Sequence, residues 1–181
     1  MRIISGTAKG RKLKSPSGNT RPLSDRVREA LFNILQNRVA GSAFLDLFAG
    51  SGAVGIEALS RGASLAIFAE LDRGNVRIIK ENLAICAYAD QAEVYALDVA
   101  QALKILKRKQ AKFDIIFIGA PYDSPVLESA LLDLSDCALL SENAVVVAEH
   151  RKQHPLQEAY GKLKRLREAR YGETVLGFYT I

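Results

Sequence analysis

The residues most able to do chemistry lie in the stretch Leu45–Glu57. Asp46 falls within a short apolar run, and glycines follow at 50, 52 and 55, ahead of a stretch with helical apolar spacing. This order predicts a strand, a tight turn and a helix, with room for a nucleotide at the hinge. The glycines also satisfy the dinucleotide pattern G-x-G-x-x-G, so NAD and S-adenosylmethionine are both candidate ligands.

The charge of Asp46 favours one of these two ligands. A pyrophosphate at the start of the helix would be repelled by a carboxylate about one turn away, whereas a cationic α-amino group would be attracted to it. S-adenosylmethionine carries such an amino group and no phosphate, so we interpret the turn as its binding site. The alternative, a purely structural turn flanked by ordinary surface acids, stays open.

Two further acids follow predicted strands. Glu70 ends a second apolar run, a position from which acidic side chains hold ribose hydroxyls. Asp98 follows a third run, where it can accept from the exocyclic amine of adenine or cap the next helix, and the two roles are compatible. The predicted cofactor-binding residues are Asp46, Phe48, Gly50, Ser51, Gly52, Glu70, Leu71 and Asp98.

These acids need a parallel sheet to bring them together. Apolar runs alternate with helical periodicity from residue 43 onward, which is typical of the α/β class with helices on both faces of a mostly parallel sheet. Strands are predicted at 43–48, 65–70, 92–97, 113–118 and 144–149, with closing strands at 162–170 and 174–181. Helices are predicted at 24–36, 53–60, 73–86, 99–109 and 124–134. The expected fold is a mostly parallel, seven-stranded α/β sheet with a small N-terminal β-hairpin.

Length and composition limit the classes of protein to which this chain can belong. A chain of 181 residues with 49% hydrophobic residues fits one domain with a substantial core. Because no apolar run reaches membrane length and none forms a signal-peptide core, we expect a cytoplasmic protein. We also expect a monomer. Cys86 and Cys137 are expected to be buried thiols, and no metal is expected. His150 and His154 are predicted to be ordinary loop histidines after the fifth strand, which ends at Glu149.

The charge is unevenly distributed along the chain. Residues 1–28 hold eight Lys or Arg and one acid, whereas residues 29–150 hold ten basic and sixteen acidic residues. Residues 151–170 again carry seven basic residues against two acidic ones. Basic segments on either side of an acidic body indicate a polyanionic partner, although plain solvated surface is the alternative. We therefore divide the chain into a basic arm at 1–22 and a main domain at 23–181.

Long motifs in this chain resemble the RsmD family of bacterial 16S rRNA guanine-N2 methyltransferases, and the resemblance spans nearly the whole length. The motifs are Arg2–Gly6, Gly10-Arg11, Thr20–Pro22, Asp25–Leu35, Phe44–Gly52, Gly55–Ala63, Glu70 and Asn82. The resemblance implies a class I, Rossmann-like methyltransferase fold. It also implies S-adenosylmethionine as methyl donor and a guanine of the small-subunit rRNA as acceptor. The implied partner is 16S rRNA within the 30S subunit, and no membrane is involved.

The chain departs from the family at the catalytic turn. Family members carry Asp-Pro-Pro-Tyr, and this chain carries Gly119-Ala120-Pro121-Tyr122, which are the implied catalytic positions. An exocyclic amine becomes nucleophilic as its nitrogen turns tetrahedral, and acceptors aimed at its hydrogens favour that change. The carbonyl of Ala120 remains available, but Gly119 supplies no carboxylate. Tyr122 is expected to stack on a flipped base.

Three explanations of Gly119 are open. The protein is a slow enzyme in which water or Asp123 supplies the acceptor, a silent relative that still binds rRNA, or a variant made to trap a complex. In each of them the basic arm pairs with phosphates. The predicted RNA-binding residues are Arg2, Lys9, Arg11, Lys12, Lys14 and Arg21.

Overall fold

The computed structural model describes residues 1–16, 23–122 and 124–181. The helices are α1 (Asp25–Val39), α2 (Ala53–Ser60), α3 (Arg73–Cys86), α4 (Val99–Arg108) and α5 (Val126–Leu134). The strands are β1 (Ala43–Leu47), β2 (Leu65–Ala69), β3 (Ala92–Tyr95), β4 (Phe113–Ile118), β5 (Leu140–Arg151), β6 (Ala159–Tyr160), β7 (Leu163–Tyr171) and β8 (Thr174–Thr180).

The strands form one mixed sheet in the order β3-β2-β1-β4-β5-β8-β7-β6. The first five strands are parallel to their neighbours, and β8, β7 and β6 continue the sheet in antiparallel pairs. The prediction of seven mostly parallel strands was therefore wrong in detail. The eighth strand, β6, has two residues, too few for an alternating pattern to be recognised in the sequence.

Alternate residues of each central strand face opposite sides of the sheet, and both sides are covered. On one side, Phe44, Phe68 and Phe117 belong to a core cluster that includes residues of α1, α2 and α3. On the other side, Leu45 and Ile116 belong to a second cluster with residues of α4 and α5. Burial on both sides explains why these strands have continuous apolar sequences.

The fifth strand is longer than predicted and contains His150. It pairs with β4 on one side and with β8 on the other, where His150 lies opposite Val175. The side chain of His150 is 3% exposed, so the prediction of a loop histidine was wrong for this residue. His154 lies beyond the strand and is exposed, as expected.

The first sixteen residues are packed on the domain. A single antiparallel bridge, Arg2 to Lys12, stands where a β-hairpin was predicted. Ile3, Ala8 and Leu13 are buried within the same core cluster as α1, α2 and α3. A Cβ atom at Gly6, whose φ is +84°, would lie 1.7 Å from the carbonyl oxygen of Ser60 in α2, so only glycine fits this contact.

Cys86 is buried, whereas Cys137 is only half-buried and has a left-handed φ of 60°.

None of the helices in the described ranges has both the length and the hydrophobicity needed to cross a membrane. Within those same ranges, no group of three or more His, Cys, Asp or Glu side chains is placed to hold a metal ion.

Candidate cofactor and methyl-transfer site

The turn between β1 and α2 is built from left-handed backbone. Phe48 has a φ of 59°, Gly50 of 58° and Gly52, the N-cap of α2, of 76°. A left-handed phenylalanine costs about 1–3 kcal/mol, and such strain concentrates at binding sites. A Cβ atom at Gly55 would lie 2.4 Å from the ring of Phe68, so this glycine lets α2 pack against the sheet.

Two carboxylates hold backbone amides of this turn. The amide of Gly50 donates to Glu70 at 2.7 Å, and the amide of Gly55 donates to Asp46 at 2.8 Å. A pyrophosphate at the start of α2 would need such amides as donors, and two carboxyl groups already occupy them. The geometry therefore disfavours a dinucleotide and leaves an acidic site that suits a cationic amino-acid group.

Asp46 is buried, and its electrostatics are unusual. Burial raises the pKa of its carboxyl to about 8, and the nearby charge of Glu70 also raises it, whereas the hydrogen bond from Gly55 lowers it. A cation close to such a buried carboxyl stabilises its ionised form and lowers its pKa. The residues present thus fit the ammonium group of S-adenosylmethionine.

The tip of β2 provides the second part of the site. The other carboxylate oxygen of Glu70 accepts from the amide of Asp72 at 2.9 Å, which fixes the orientation of the side chain. Leu71, next in the chain, is 67% exposed, an apolar surface on which a planar base could pack. The cap predicted at Asp98 is confirmed, since its carboxylate accepts from the amide of Gln101 at 2.8 Å. Its contact with adenine stays a prediction.

Asn82 of α3 was not among the predicted site residues, although it contacts the turn. Its side-chain amide donates to the carbonyl of Ser51 at 2.9 Å and to that of Lys14 at 3.1 Å, and its oxygen accepts from the amide of Lys14 at 2.8 Å. One fully buried side chain therefore holds both the cofactor turn and the basic N-terminal segment. The sequence offered one signal for this role, because Asn82 is a polar residue on the apolar face of a predicted helix.

The turn after β4 lies beside the cofactor turn, because the amide of Gly119 donates to the carbonyl of Leu47 at 3.1 Å. Ala120 is buried. The hydroxyl of Tyr122 donates to the carboxylate of Glu149 and lies 3.3 Å from Thr174 Oγ1. The guanidinium of Arg151 covers the Tyr122 ring at 4.9 Å from its centre. Tyr122 is thus held by its neighbours, and its stacking on a base stays a prediction.

Two cavities open beside this turn. The first, of about 410 Å³, lies between the start of α1, the end of β5 and the start of β8. The second, of about 320 Å³, includes Ala120 and Pro121 in its walls. Tyr122, Glu149 and Arg151 border both cavities. This arrangement provides room for a base next to the predicted catalytic residues.

The predicted RNA-binding cations of the N-terminal segment are exposed. Lys14 pairs with Glu81 at 2.8 Å, and Arg11 donates to the carbonyl of Ile85. Arg2, Lys9 and Lys12 make no ion pair with any residue that the structure describes. Arg21 and the possible acceptor Asp123 lie outside the described residues.

A buried ion pair fixes the N-terminal segment against α1 and α2. Glu57 of α2 accepts from the amides of Ile4 and Ser5 at 2.8 and 3.0 Å, and it also accepts from Arg61. Arg28 of α1, fully buried, lies 3.7 Å from Glu57. Burial lowers the pKa of the Arg28 guanidinium, and the charge of Glu57 opposes that shift.

The strand order, the glycine turn after β1 and the acid at the tip of β2 define an α/β methyltransferase fold with a Rossmann-like topology. The family described as Conserved hypothetical protein 95 matches residues 1–180. The chain belongs to this family, which is the RsmD family of rRNA methyltransferases.

Similar proteins are known from several bacteria. The ribosomal RNA small subunit methyltransferase D of Escherichia coli K12 is 34% identical over 99% of this chain and 89% of its own length. The protein of the same name from Haemophilus influenzae is 39% identical over 86% of this chain and 81% of its own. The solved structure of a Thermus thermophilus protein, described as hypothetical, has a TM-score of 0.87 at 34% identity, covering 100% of this chain and 99% of its own.

Proposed function

We propose that this protein transfers a methyl group from S-adenosylmethionine to the exocyclic N2 amine of a guanine in 16S rRNA. The observation that carries the proposal is the pair of contacts from Gly50 to Glu70 and from Gly55 to Asp46, which makes the turn acidic where a dinucleotide needs free donors. The relatives named ribosomal RNA small subunit methyltransferase D support the rRNA substrate.

Each part of the site has a role in this reaction. Asp46 attracts the ammonium group of the methyl donor, Glu70 accepts from the ribose hydroxyls, and Leu71 and Asp98 contact the adenine. Phe48, Gly50, Ser51 and Gly52 shape the turn around the donor. When bound, S-adenosylmethionine supplies an electrophilic methyl group. The carbonyl of Ala120 accepts from the N2 amine, while Pro121 and Tyr122 border the space for the flipped base.

The N-terminal segment contributes the binding of RNA. Its exposed cations contact phosphates and place the target guanine over the catalytic turn. The substrate is the assembled or assembling 30S subunit, and the enzyme is a cytoplasmic monomer. Size-exclusion chromatography with light scattering tests the monomeric state, and comparison of naked 16S rRNA with 30S particles tests the form of the substrate.

Two measurements test the proposed function. Tritium from labelled S-adenosylmethionine is expected in the 16S rRNA of 30S particles isolated from cells that lack the family's enzyme, and nuclease digestion should yield N2-methylguanosine. S-adenosylhomocysteine is expected to raise the melting temperature, and NADH is not. Donor binding without label transfer would favour the second candidate, an rRNA-binding relative weakened by the missing carboxylate at Gly119.

A further inference from the structure

The second basic segment of the sequence, residues 151–170, has no role in the function proposed above. It holds seven basic and two acidic residues, and four of the basic ones lie in β7. Successive residues of a strand point to opposite sides of a sheet, so the cations of β7 divide between two environments. The side that each cation faces therefore decides whether it is available to a partner.

On the side covered by α4 and α5, the cations of β7 have carboxylate partners. Arg165 lies opposite Tyr179 of β8, which belongs to the core cluster of those two helices. Its guanidinium is 2.8 Å from the carboxylate of Glu168, and that of Arg170, on the same side, is 3.2 Å from the same group. Both arginines therefore form ion pairs within the protein.

On the other side of β7, Lys164 and Arg167 are placed differently. Arg167 lies opposite Phe178, and Lys164 lies opposite Thr180, two residues further along β8. Phe178 belongs to the core cluster that includes residues of α1, α2, α3 and the N-terminal segment. Both cations are exposed, and neither forms an ion pair with any residue of the described ranges. This side of β7 thus presents two positive charges to solvent.

Arg167 is oriented by its contact with the core. Its guanidinium carbon lies 5.8 Å from the centre of the Phe178 ring, which is itself 2% exposed. A planar guanidinium matches the geometry of a phosphate group, and a side chain that is already ordered loses less entropy when it binds. Arg167 is therefore better prepared to hold a phosphate than a fully mobile surface cation.

The two cations lie near the first cavity beside the catalytic turn. β7 ends at Tyr171, which lines that cavity together with Tyr122. Arg167 precedes Tyr171 by four residues, which is about 13 Å along a strand. A strand of RNA that leaves this cavity along β7 would meet Arg167 first and Lys164 next.

The N-terminal segment lies on the same side of the sheet but toward its other end. It bonds to Glu57 of α2 and Asn82 of α3, and α2 packs on β1 and β2. Between this segment and β7 lies α1, whose exposed charges are two acidic and two basic residues: Asp25, Glu29, Arg26 and Arg38. One side of the sheet therefore has cations toward both ends and no excess of negative charge on α1 between them.

We propose that Lys164 and Arg167 bind phosphates of the target RNA, as a second contact that acts together with the N-terminal segment. This inference rests on the proposed function, which supplies the polyanionic partner. Phosphate contacts fix the orientation of a nucleic acid without reading its sequence. The cations of β7 therefore position the RNA on the side of the sheet next to the catalytic turn, and they do not select the target base.

Removal of one charge at a time tests this assignment. Binding is measured by co-sedimentation with 30S subunits from cells that lack the family's enzyme, over a series of KCl concentrations at constant Mg²⁺. Lys164→Gln and Arg167→Gln are each expected to weaken binding at least threefold at about 0.1 M KCl. Each should also reduce the magnitude of the salt slope by about 0.7–0.9, as expected for one lost phosphate contact.

Arg170→Gln is the matched control, because it removes the same charge from the same strand on the opposite side of the sheet. It is expected to keep the wild-type salt slope. In methyl transfer, Lys164→Gln and Arg167→Gln should raise KM and leave kcat unchanged, because a phosphate contact is equally strong in the bound substrate and in the transition state. S-adenosylhomocysteine affinity is expected to match wild type in all three variants, and melting temperature reports whether each one folds.

The outcomes separate this inference from the proposed function. If wild type methylates 30S subunits and the variants at Lys164 and Arg167 keep its salt slope, the contact by β7 is rejected. These cations would then serve only to keep strands of other molecules from pairing with the edge of the sheet. An equal loss of slope in Arg170→Gln would also reject the contact, because the effect would then follow net charge alone.

The remaining outcomes concern wild type itself. If wild type binds 30S subunits without transferring label, the proposed function fails, and the salt slopes of the variants still decide the role of β7. If wild type binds neither 30S subunits nor naked 16S rRNA, both proposals are rejected.

Discussion

The side-chain amide of Asn82 donates a 2.9 Å hydrogen bond to the carbonyl of Ser51, the residue between two glycines of the cofactor turn. The same side chain exchanges two hydrogen bonds with the backbone of Lys14. Asn82 and its bond to Ser51 are buried, so water does not readily replace that contact when it is removed. Asn82 therefore stabilises both the N-terminal segment and the cofactor turn.

Substituting Asn82 is expected to affect both stability and cofactor binding. Asn82→Ala removes the partner of the buried Ser51 carbonyl and of the part-buried backbone groups of Lys14, and should lower the free energy of unfolding by about 2–3 kcal/mol. Binding of S-adenosylhomocysteine, measured by calorimetry, should weaken at least fivefold because the turn loses its support. Asn37→Ala, at an exposed position of α1, is the control. Equal donor affinity in wild type and Asn82→Ala would contradict a role in the turn.

The raised pKa of Asp46 predicts a pH dependence of stability. Its pKa is about 8 in the folded protein and near 3.8 when unfolded. Between these values the folded state binds one more proton than the unfolded state. The contribution of Asp46 is therefore fully present below about pH 4 and is lost as pH rises toward 8, with a slope approaching ~1.4 kcal/mol per pH unit.

Denaturant unfolding of Asp46→Asn and wild type over this pH range isolates that contribution. The stability of the variant relative to wild type should increase from pH 5 to pH 8, because asparagine does not ionise. Asp90→Asn, which alters an exposed carboxylate, should keep the wild-type pH dependence. A constant difference between Asp46→Asn and wild type would show that Asp46 does not titrate in this range.

Restoring the family's turn is expected to accelerate methyl transfer. Gly119→Asp with Ala120→Pro should raise the rate at least tenfold, because the carboxylate adds an acceptor for the N2 amine, and loss of one such polar contact typically costs about 10²–10³ in rate. Labelled transfer to 30S particles measures the effect. An unchanged rate would contradict this account of the turn.

The packing around Gly119 adds a cost to that substitution. A Cβ atom at this position would lie 2.9 Å from the ring of Phe117, which must shift. We expect a loss of about 1 kcal/mol or more in the free energy of unfolding. Gly119→Ala adds the same Cβ atom without an acceptor, so it should show the loss of stability without the gain in rate.

The exposed cations of the N-terminal segment are expected to set RNA affinity. Each of Lys9→Ala and Lys12→Ala should weaken binding and reduce the magnitude of the salt slope by about 0.7–0.9, as expected for one lost phosphate contact. Lys104→Ala on α4, on the opposite side of the sheet, is the control. Fluorescence anisotropy across a salt series measures both quantities, and equal slopes for all three variants would argue against phosphate contacts by the segment.

Point substitutions are preferable here to deletion of the segment. Removing residues 1–16 would uncover the core around Ile3, Ala8 and Leu13 and would leave Glu57 without its amide partners. A truncated protein would thus lose stability together with any RNA contact.

Local sequence patterns identified much of the sheet and of the cofactor turn. Asp46, the glycines and Glu70 lie in or directly after short apolar runs that predict strands. Because the carboxyl ends of parallel strands meet at one edge of the sheet, the sequence predicts that these residues lie close together. The docking of residues 1–16 depends on Glu57, Ser60 and Asn82, which are distant in the chain, and local periodicity carries no information on such contacts.

The neighbourhood of Gly119 also depends on long-range geometry. The register of two parallel strands is set by packing across the whole sheet, so the sequence alone does not show which residue lies beside Gly119. The long fifth strand has the same origin, since pairing with β8 extends it past the predicted end and carries His150 into the core. Its Nε2 has no hydrogen-bond partner among the described residues.

The ion pair between Arg28 and Glu57 has a consequence for exchanging parts between relatives. The N-terminal residues cannot be exchanged as a cassette, because the backbone amides of Ile4 and Ser5 complete the hydrogen bonding of a buried acid in α2. A chimaera built to redirect this protein to another RNA would have to transplant α1 and α2 together with the first sixteen residues.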